Sequence, residues 1–215
     1  MKTLIEGLRR FSHEIFPAQR PLFDELSRGQ KPHTLFITCS DSRIDPNLVT
    51  QTAPGEIFVV RNAGNIVPPF GSSRGGEEAS IEFAIEALGI SNIVICGHSQ
   101  CGAMTALMEP QKVESLPSVA RWLEHASATR RRLASGSSST PRLSPAEENV
   151  LVQAENLRTH PAVSAALCRG QVKIYGWMYH FEEGIVTVYD PLKGAFVQSS
   201  EVSDRALETP QSLAL

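Results

Sequence analysis

The chain has 215 residues, of which 41% are hydrophobic and 20% are charged, and its net charge is -3. This size and composition predict one domain, residues 1–215, with a sizeable core, and they exclude a disordered or collagen-like protein. No basic cluster interleaved with aromatic residues indicates a nucleic-acid surface, and no apolar run approaches the roughly 20 residues that span a bilayer. We therefore expect no nucleic-acid partner and no membrane partner.

The N-terminus and the cysteine usage favour a cytoplasmic protein. Glu6, Arg9 and Arg10 stand where a secretory signal would need an apolar core. Four cysteines in a chain of this length are too few for a disulfide scaffold, and a cytosolic setting would keep them reduced. We therefore interpret the cysteines as thiols, some of which could bind a metal.

The predicted elements alternate between helices and strands. Apolar residues at helical spacing predict an amphipathic helix over about residues 2–16 that stops at Pro17. Short apolar runs rich in β-branched residues are typical of strands buried on both faces of a parallel sheet, and three of them occur, at 34–39, 56–61 and 92–97. Further helices are predicted at 21–28, 76–88, 101–108, 117–134, 145–158 and after Pro161.

The last predicted elements form a hairpin of residues 172–178 and 185–189, and the serine-rich segment 134–141 is predicted to be a mobile loop. Strands separated by helices favour an α/β fold with a mainly parallel sheet. Ligand sites in such sheets lie at the carboxyl ends of the strands. The polar residues that follow the predicted strands are therefore the first candidates for a functional site.

Cys39 closes the first predicted strand, His98 follows the third, and Cys101 comes three residues later. Zinc takes thiolate and imidazole ligands, and three protein ligands leave the fourth tetrahedral position to water, as in a catalytic site. The histidine and second cysteine alone are weak evidence, since Cys39 could be a small buried hydrophobe and His98 a loop residue bonded to backbone. The acid and guanidinium at Asp41 and Arg43, directly beside the first thiol, strengthen the metal interpretation.

These residues form the pair of motifs C-x-D-x-R and H-x-x-C, and with them the sequence resembles the β-class carbonic anhydrases. The resemblance also includes Val-Val-Arg-Asn-Ala-Gly-Asn-Ile-Val-Pro at 59–68 and Cys-Gly-His-Ser at 96–99, in the same order and spacing. It extends from the N-terminal helix through Gly-Trp-Met-Tyr near residue 178, most of the chain. The cyanate-operon and cyanobacterial forms are the similar members.

The resemblance implies a mainly parallel four-stranded sheet with an added antiparallel strand, flanked by helices. It implies one Zn²⁺ per subunit, bound by Cys39, His98 and Cys101, and reversible hydration of CO₂ to bicarbonate and a proton. Zinc-bound hydroxide would be the nucleophile, oriented by Asp41, which Arg43 would hold in a bidentate pair. In this family the same aspartate can also occupy the fourth zinc position in a closed, inactive state.

The resemblance further implies a substrate pocket and an oligomer. Gln30 would donate to a substrate oxygen from the partner subunit, Gly102 would supply a backbone N–H near the metal, and Phe58 would line the CO₂ pocket or be plain core. The helix at about 2–16 would reach across to the partner of a homodimer, and dimers often join into tetramers or octamers.

The sequence departs from the bicarbonate-regulated branch of the family at two positions. Phe36 and Phe83 stand where that branch has a tryptophan and a tyrosine, although Arg61 is kept. We therefore expect simple saturation kinetics rather than allosteric inhibition by bicarbonate. We assign no function to Cys168, and we expect Cys96 to be a core residue.

Three alternatives remain open at this point. A related zinc enzyme on the same scaffold could hydrolyse carbon disulfide or carbonyl sulfide. The chain could instead be a non-enzymatic structural zinc or thiol-redox protein, or a silent paralogue that acts as a scaffold. The intact pair of Asp41 and Arg43 argues against the last of these.

Overall fold

The computed structural model describes residues 1–135 and 143–202, and the chain divides into two compact units. The predicted loop at 134–141 lies largely outside the described residues. The first unit, Met1–Lys31, is helical. It contains α1 (Lys2–Arg10), a π-helical turn (Phe11–Ile15), α2 (Phe16–Ala18) and α3 (Arg20–Leu26).

The amphipathic helix of the first unit is confirmed, but its predicted end at Pro17 is wrong. The helical conformation continues to Ala18, because Pro17 lies in the first turn of α2, where a missing N–H is tolerated. Along α1, Leu4 and Leu8 are 67% and 62% exposed. This unit therefore presents an apolar stripe at its surface.

The second unit, which begins at Pro32, is built around a six-stranded sheet with the order β2-β1-β3-β4-β5-β6. The first four strands in this order are parallel, and β5 and β6 are antiparallel to their neighbours. Only β5 therefore runs opposite to the other strands, as the sequence predicted, and β6 is one strand more than the sequence predicted. The strands are β1 (Thr34–Cys39), β2 (Ile57–Asn62), β3 (Asn92–His98), β4 (Lys173–His180), β5 (Ile185–Asp190) and β6 (Ala195–Gln198).

The helices of the second unit match the predictions except in two places. The predicted helix 117–134 is interrupted by a 3-10 turn at Glu124–Ala126, and α4 was not predicted although Asp45 caps it. The helices are α4 (Pro46–Thr50), α5 (Gly76–Glu82, continued by a π-helical turn at Phe83–Ala87), α6 (Gly102–Met108), α7 (Pro117–Leu123), α8 (Ser127–Ser135), α9 (Pro145–Arg158) and α10 (Pro161–Cys168).

Helix α9 packs directly on β3 and β4 over the main core. The close approach depends on two glycines of the sheet: a Cβ at Gly97 would lie 2.8 Å from Cγ2 of Val150, and a Cβ at Gly176 would lie 2.9 Å from Cγ1 of the same residue. Gly97 immediately precedes His98 at the end of β3. The packing of α9 therefore also fixes the backbone that carries His98.

Within the two described stretches of the chain, no helix is long and apolar enough to cross a bilayer. This agrees with the absence of a long apolar run in the sequence.

Candidate metal centre

Cys39, His98 and Cys101 meet at the carboxyl edge of the sheet, as the sequence predicted. Cys39 ends β1 and His98 ends β3, and these two strands are neighbours in the parallel part of the sheet. Cys101 is the N-cap of α6. All three side chains are buried, and each has a ligand atom within 4.8 Å of the others.

The imidazole of His98 is oriented for metal binding. Its Nδ1 lies 2.8 Å from the carbonyl oxygen of Ser99, to which a protonated Nδ1 would donate. That bond leaves the lone pair on Nε2, which is buried and has no hydrogen-bond partner among the described residues. A backbone partner on one ring nitrogen with a free second nitrogen is the usual arrangement of a metal-binding histidine.

The Cys39 and Cys101 thiols shift each other's pKa in opposite directions. A hydrogen bond with the Cys101 thiol lowers the pKa of the Cys39 thiol to about 4. Hydrogen bonds with His98 and with the backbone N–H of Gly64 also lower this pKa, whereas burial raises it. The bond to Cys39 and burial raise the pKa of Cys101. Cysteine binds a metal as the thiolate, so a divalent cation at this site would release the protons that the two thiols hold. Two sulfurs and one imidazole nitrogen are a typical zinc donor set.

Asp41 and Arg43 lie beside this cluster and form a bidentate ion pair. Nε of Arg43 donates to Oδ1 of Asp41 at 2.9 Å, and Nη2 donates to Oδ2 at 2.7 Å. The Arg43 side chain is the main cause that holds the pKa of the Asp41 carboxyl well below its usual range. Asp41 is therefore an ionised hydrogen-bond acceptor at neutral pH.

The structure adds contacts around Arg43 that sequence reasoning missed. Nη2 of Arg43 also donates to the carbonyl oxygen of Gln100 at 3.2 Å, and the guanidinium lies 4.5 Å from the ring centroid of Phe181. The hydroxyl of Ser99 and the amide of Gln100 both donate to Glu182, which ties this loop to the end of β4. No signal in the sequence links these positions to Arg43, because they come from a distant segment of the chain.

The three predicted substrate-binding residues have different positions. Gly102 follows Cys101 at the start of α6. Phe58 pairs with Leu35 and packs against Phe83. The residue of β2 opposite Cys39 is Asn62, four residues farther along the strand, so Phe58 lies about 13 Å from the level of Cys39. Gln30 is an exposed residue of the first unit. The structure thus brings Gly102, but not Phe58, close to the thiols of the same chain.

The other two cysteines and Arg61 lie outside the three-residue cluster. Cys96 is fully buried in the cluster with Phe36, Ile44 and Val94, so its predicted core role is confirmed, and burial raises its pKa to about 12. Cys168 is exposed. Arg61 donates to the carbonyl oxygens of Cys39 and Asp41 and thereby supports the loop that carries the acid.

Known proteins resemble this chain in sequence and in fold. The carbonic anhydrase family model matches residues 34–186. A carbonic anhydrase of Synechococcus elongatus is 52% identical over 191 residues, covering 86% of this chain and 70% of that protein. One from Pseudomonas aeruginosa is 45% identical over 204 residues, covering 94% and 93%. The solved structure of the β-carbonic anhydrase CcaA superimposes with a TM-score of 0.87 at 48% identity, covering 92% of this chain and 91% of that one.

Proposed function

The chain belongs to the β-carbonic anhydrase family and is a carbonic anhydrase, and from this we propose that it hydrates CO₂ reversibly at a zinc ion held by Cys39, His98 and Cys101. One observation carries the assignment of the ligands. The buried Nε2 of His98 has no partner among the described residues. A ring nitrogen of His98 and the sulfurs of Cys39 and Cys101 lie within 4.8 Å of one another. Leaving such a nitrogen unpaired costs about 1–3 kcal/mol, which a bound cation would offset.

The residues fit zinc in number and in donor chemistry. Zinc in such a site acts as a Lewis acid that lowers the pKa of water and so supplies a nucleophile for CO₂ near neutral pH. Three protein donors leave one position open for that water. This chain supplies the geometry around it.

In the proposed mechanism Asp41 orients the nucleophile. Its carboxylate lies 3.9 Å from Nε2 of His98 and does not belong to the three-ligand cluster, so it could accept a hydrogen bond from an oxygen at the metal without being a ligand itself. An ionised carboxylate accepts the proton of the attacking oxygen in a hydrogen bond and aims a lone pair at the carbon of CO₂. Arg43 keeps the carboxylate in that direction through the bidentate pair. Gly102 would contribute a backbone N–H toward the substrate oxygen.

We further propose a homo-oligomer whose subunits complete each other's pockets. Leu4 and Leu8 present an apolar stripe at the surface of the first unit, which a second copy would cover. Gln30 and Phe58 would then serve the site of a neighbouring subunit, because Phe58 is remote from the thiols along its own sheet. The reduced thiols that zinc ligation needs favour a cytoplasmic location.

The decisive experiment is stopped-flow hydration of CO₂ by the purified protein, before and after removal of metal by a chelator and again after zinc is added back. We expect activity that disappears with the metal and returns with one zinc per chain. Carbon disulfide and carbonyl sulfide are assayed in parallel. Hydrolysis of either without CO₂ hydration, or zinc binding without any turnover, would contradict the proposed reaction.

A further inference from the structure

We propose that Trp122 and Asn149 are positioning residues that clamp the loop at Ala63 and Gly64, so that the Gly64 N–H donates to the Cys39 sulfur and sets the electron density that this thiolate offers to the metal. The proposal rests on the proposed zinc site. Neither residue is a ligand or touches the substrate position, and each acts through the loop.

The peptide group between Ala63 and Gly64 is occupied at both ends. Its N–H donates to Sγ of Cys39 at a distance of 3.3 Å from N to S. Its carbonyl oxygen, on Ala63, accepts a hydrogen bond from Nε1 of Trp122 at 2.8 Å. A hydrogen bond to the carbonyl polarises the whole peptide and strengthens its N–H as a donor. Trp122 therefore both orients and strengthens the bond to the sulfur.

The next carbonyl of the loop is held from the protein interior. Nδ2 of Asn149, a residue of α9 with no exposed surface, donates to the carbonyl oxygen of Gly64 at 2.9 Å. The other end of that amide accepts from Thr129 at 3.2 Å and from Gln153 at 2.8 Å. These two donors fix which end of the Asn149 amide faces the loop.

Steric constraints leave the loop little freedom to move. Gly64 has a positive φ of 85°, and a Cβ there would lie 2.9 Å from Cβ of Ala103 and 3.1 Å from Cε of Met104. The loop thus rests on the first turn of α6, directly after Cys101. The position of the Gly64 N–H is therefore fixed relative to Cys101 as well as to Cys39.

The two sulfurs obtain their backbone donors in different ways. Cys101 is the N-cap of α6 and lies at the first turn of a helix, whose backbone N–H groups have no partner within the helix. Cys39 depends on a loop that side chains of α7 and α9 hold in place. A hydrogen bond to a metal-bound thiolate withdraws electron density from the sulfur, and such outer partners tune the metal. Trp122 therefore offers a way to change one sulfur while every ligand stays in place.

The first test is direct detection of the hydrogen bond in the wild-type chain. Zinc is replaced by ¹¹³Cd²⁺ in ¹⁵N-labelled protein, and the amide protons are examined for scalar coupling to the metal across N–H···S. We expect a coupled, downfield-shifted Gly64 amide. A Gly64 amide without coupling, in protein that holds one cadmium per chain, would overturn the proposal.

The second test removes the clamp. Trp122→Phe keeps an aromatic side chain, smaller than the indole, and lacks the indole N–H. Trp177→Phe, whose ring packs with Phe36, makes the same change elsewhere and is the matched control. With Co²⁺ in place of zinc, we expect the sulfur-to-metal charge-transfer band to move to lower energy in Trp122→Phe only. In the zinc forms, we expect the midpoint of the activity profile to move to higher pH in that variant.

An unchanged band in a folded Trp122→Phe variant with full metal content would refute the role of Trp122. If the band moves and the wild type hydrates no CO₂, the clamp stands and the proposed function fails. If CO₂ is hydrated and the band does not move, the proposed function stands and the role of Trp122 fails. The two conclusions are therefore tested separately.

Discussion

The carboxylate of Asp41 lies only 3.9 Å from Nε2 of His98, yet its hydrogen bonds go to Arg43. A carboxylate oxygen is itself a good zinc ligand, so a free acid at this distance would compete for the open position. In the proposed mechanism the bidentate pair would prevent this, because both carboxylate oxygens accept hydrogen bonds from the guanidinium. Arg43 is held in turn by the carbonyl of Gln100 and by the ring of Phe181. With this ion pair, Asp41 would act as a hydrogen-bond acceptor and would not bind zinc itself.

Replacement of Asp41 by Asn tests this role. We expect turnover to fall at least about 100-fold, because an amide cannot orient the nucleophile as an ionised acceptor does. Zinc content should stay at one per chain, because Asp41 is not one of the three proposed ligands. Stability should change by about 1 kcal/mol or less, because the Arg43 side chain of the pair is 47% exposed and solvent screens the interaction. Stopped-flow assays, metal analysis and urea unfolding measure the three quantities. Loss of zinc in this variant would show that Asp41 is a ligand.

Arg43→Lys separates charge from geometry. The ordinary pKa of an aspartic acid is already 3.8, so the carboxyl stays ionised at neutral pH whether or not Arg43 lowers it further. Lysine keeps the positive charge but loses the two parallel bonds and the contact with Phe181. We expect kcat to fall roughly 10- to 100-fold while the pH midpoint of the activity stays in place. Arg131→Lys, at an exposed position on α8, serves as control, and a shifted midpoint would contradict the geometric role.

The sequence predicted that Cys39, His98 and Cys101 lie at one edge of the sheet, because their positions follow from local patterns. β1 and β3 are buried on both faces, so they read as short apolar runs, and the residues directly after such strands lie at one edge of the sheet. β6 has four residues and α4 has five, too few to produce a recognisable period. Phe181 contacts Arg43, and Glu182 contacts Ser99 and Gln100, only because β3 pairs with β4, which no local pattern encodes.

The ligand assignment predicts different results for two buried cysteines. Cys39→Ser should lose zinc and activity, because a hydroxyl replaces the thiolate. Cys96→Ala should keep one zinc per chain and near-normal turnover, because this thiol packs with Phe36 and Val94, and its pKa of about 12 keeps it protonated. Metal analysis after gel filtration, together with CO₂ hydration, distinguishes the two. Equal zinc loss in both variants would mean that the effect is general unfolding.

The pH dependence of the reaction should reflect the ionisation of water at the metal and not the ionisation of Asp41. Two thiolates cancel the charge of the ion, so this site acidifies water less than one with three neutral imidazoles, and activity should rise from neutral into alkaline pH. The pKa of Asp41 is lowered, so protonation of this group lies well below that range and cannot produce the rise. A profile already flat from about pH 6 upward would refute this prediction.

The packing of α9 on the sheet predicts a coupling between two residues outside the site. A Cβ at Gly97 would lie 2.8 Å from Cγ2 of Val150, so Gly97→Ala should destabilise the fold by about 1–3 kcal/mol through overpacking. In the Val150→Ala background the same change should cost less, with a coupling of about 0.5 kcal/mol or more in a double-mutant cycle. Gly76→Ala, where a Cβ meets no atom within 4 Å, is the control. Urea unfolding of the zinc-loaded proteins measures the free energies of unfolding of the wild type, the two single variants, the double variant and the control. Strictly additive costs would mean that Val150 does not limit the approach of α9 to the strand that carries His98.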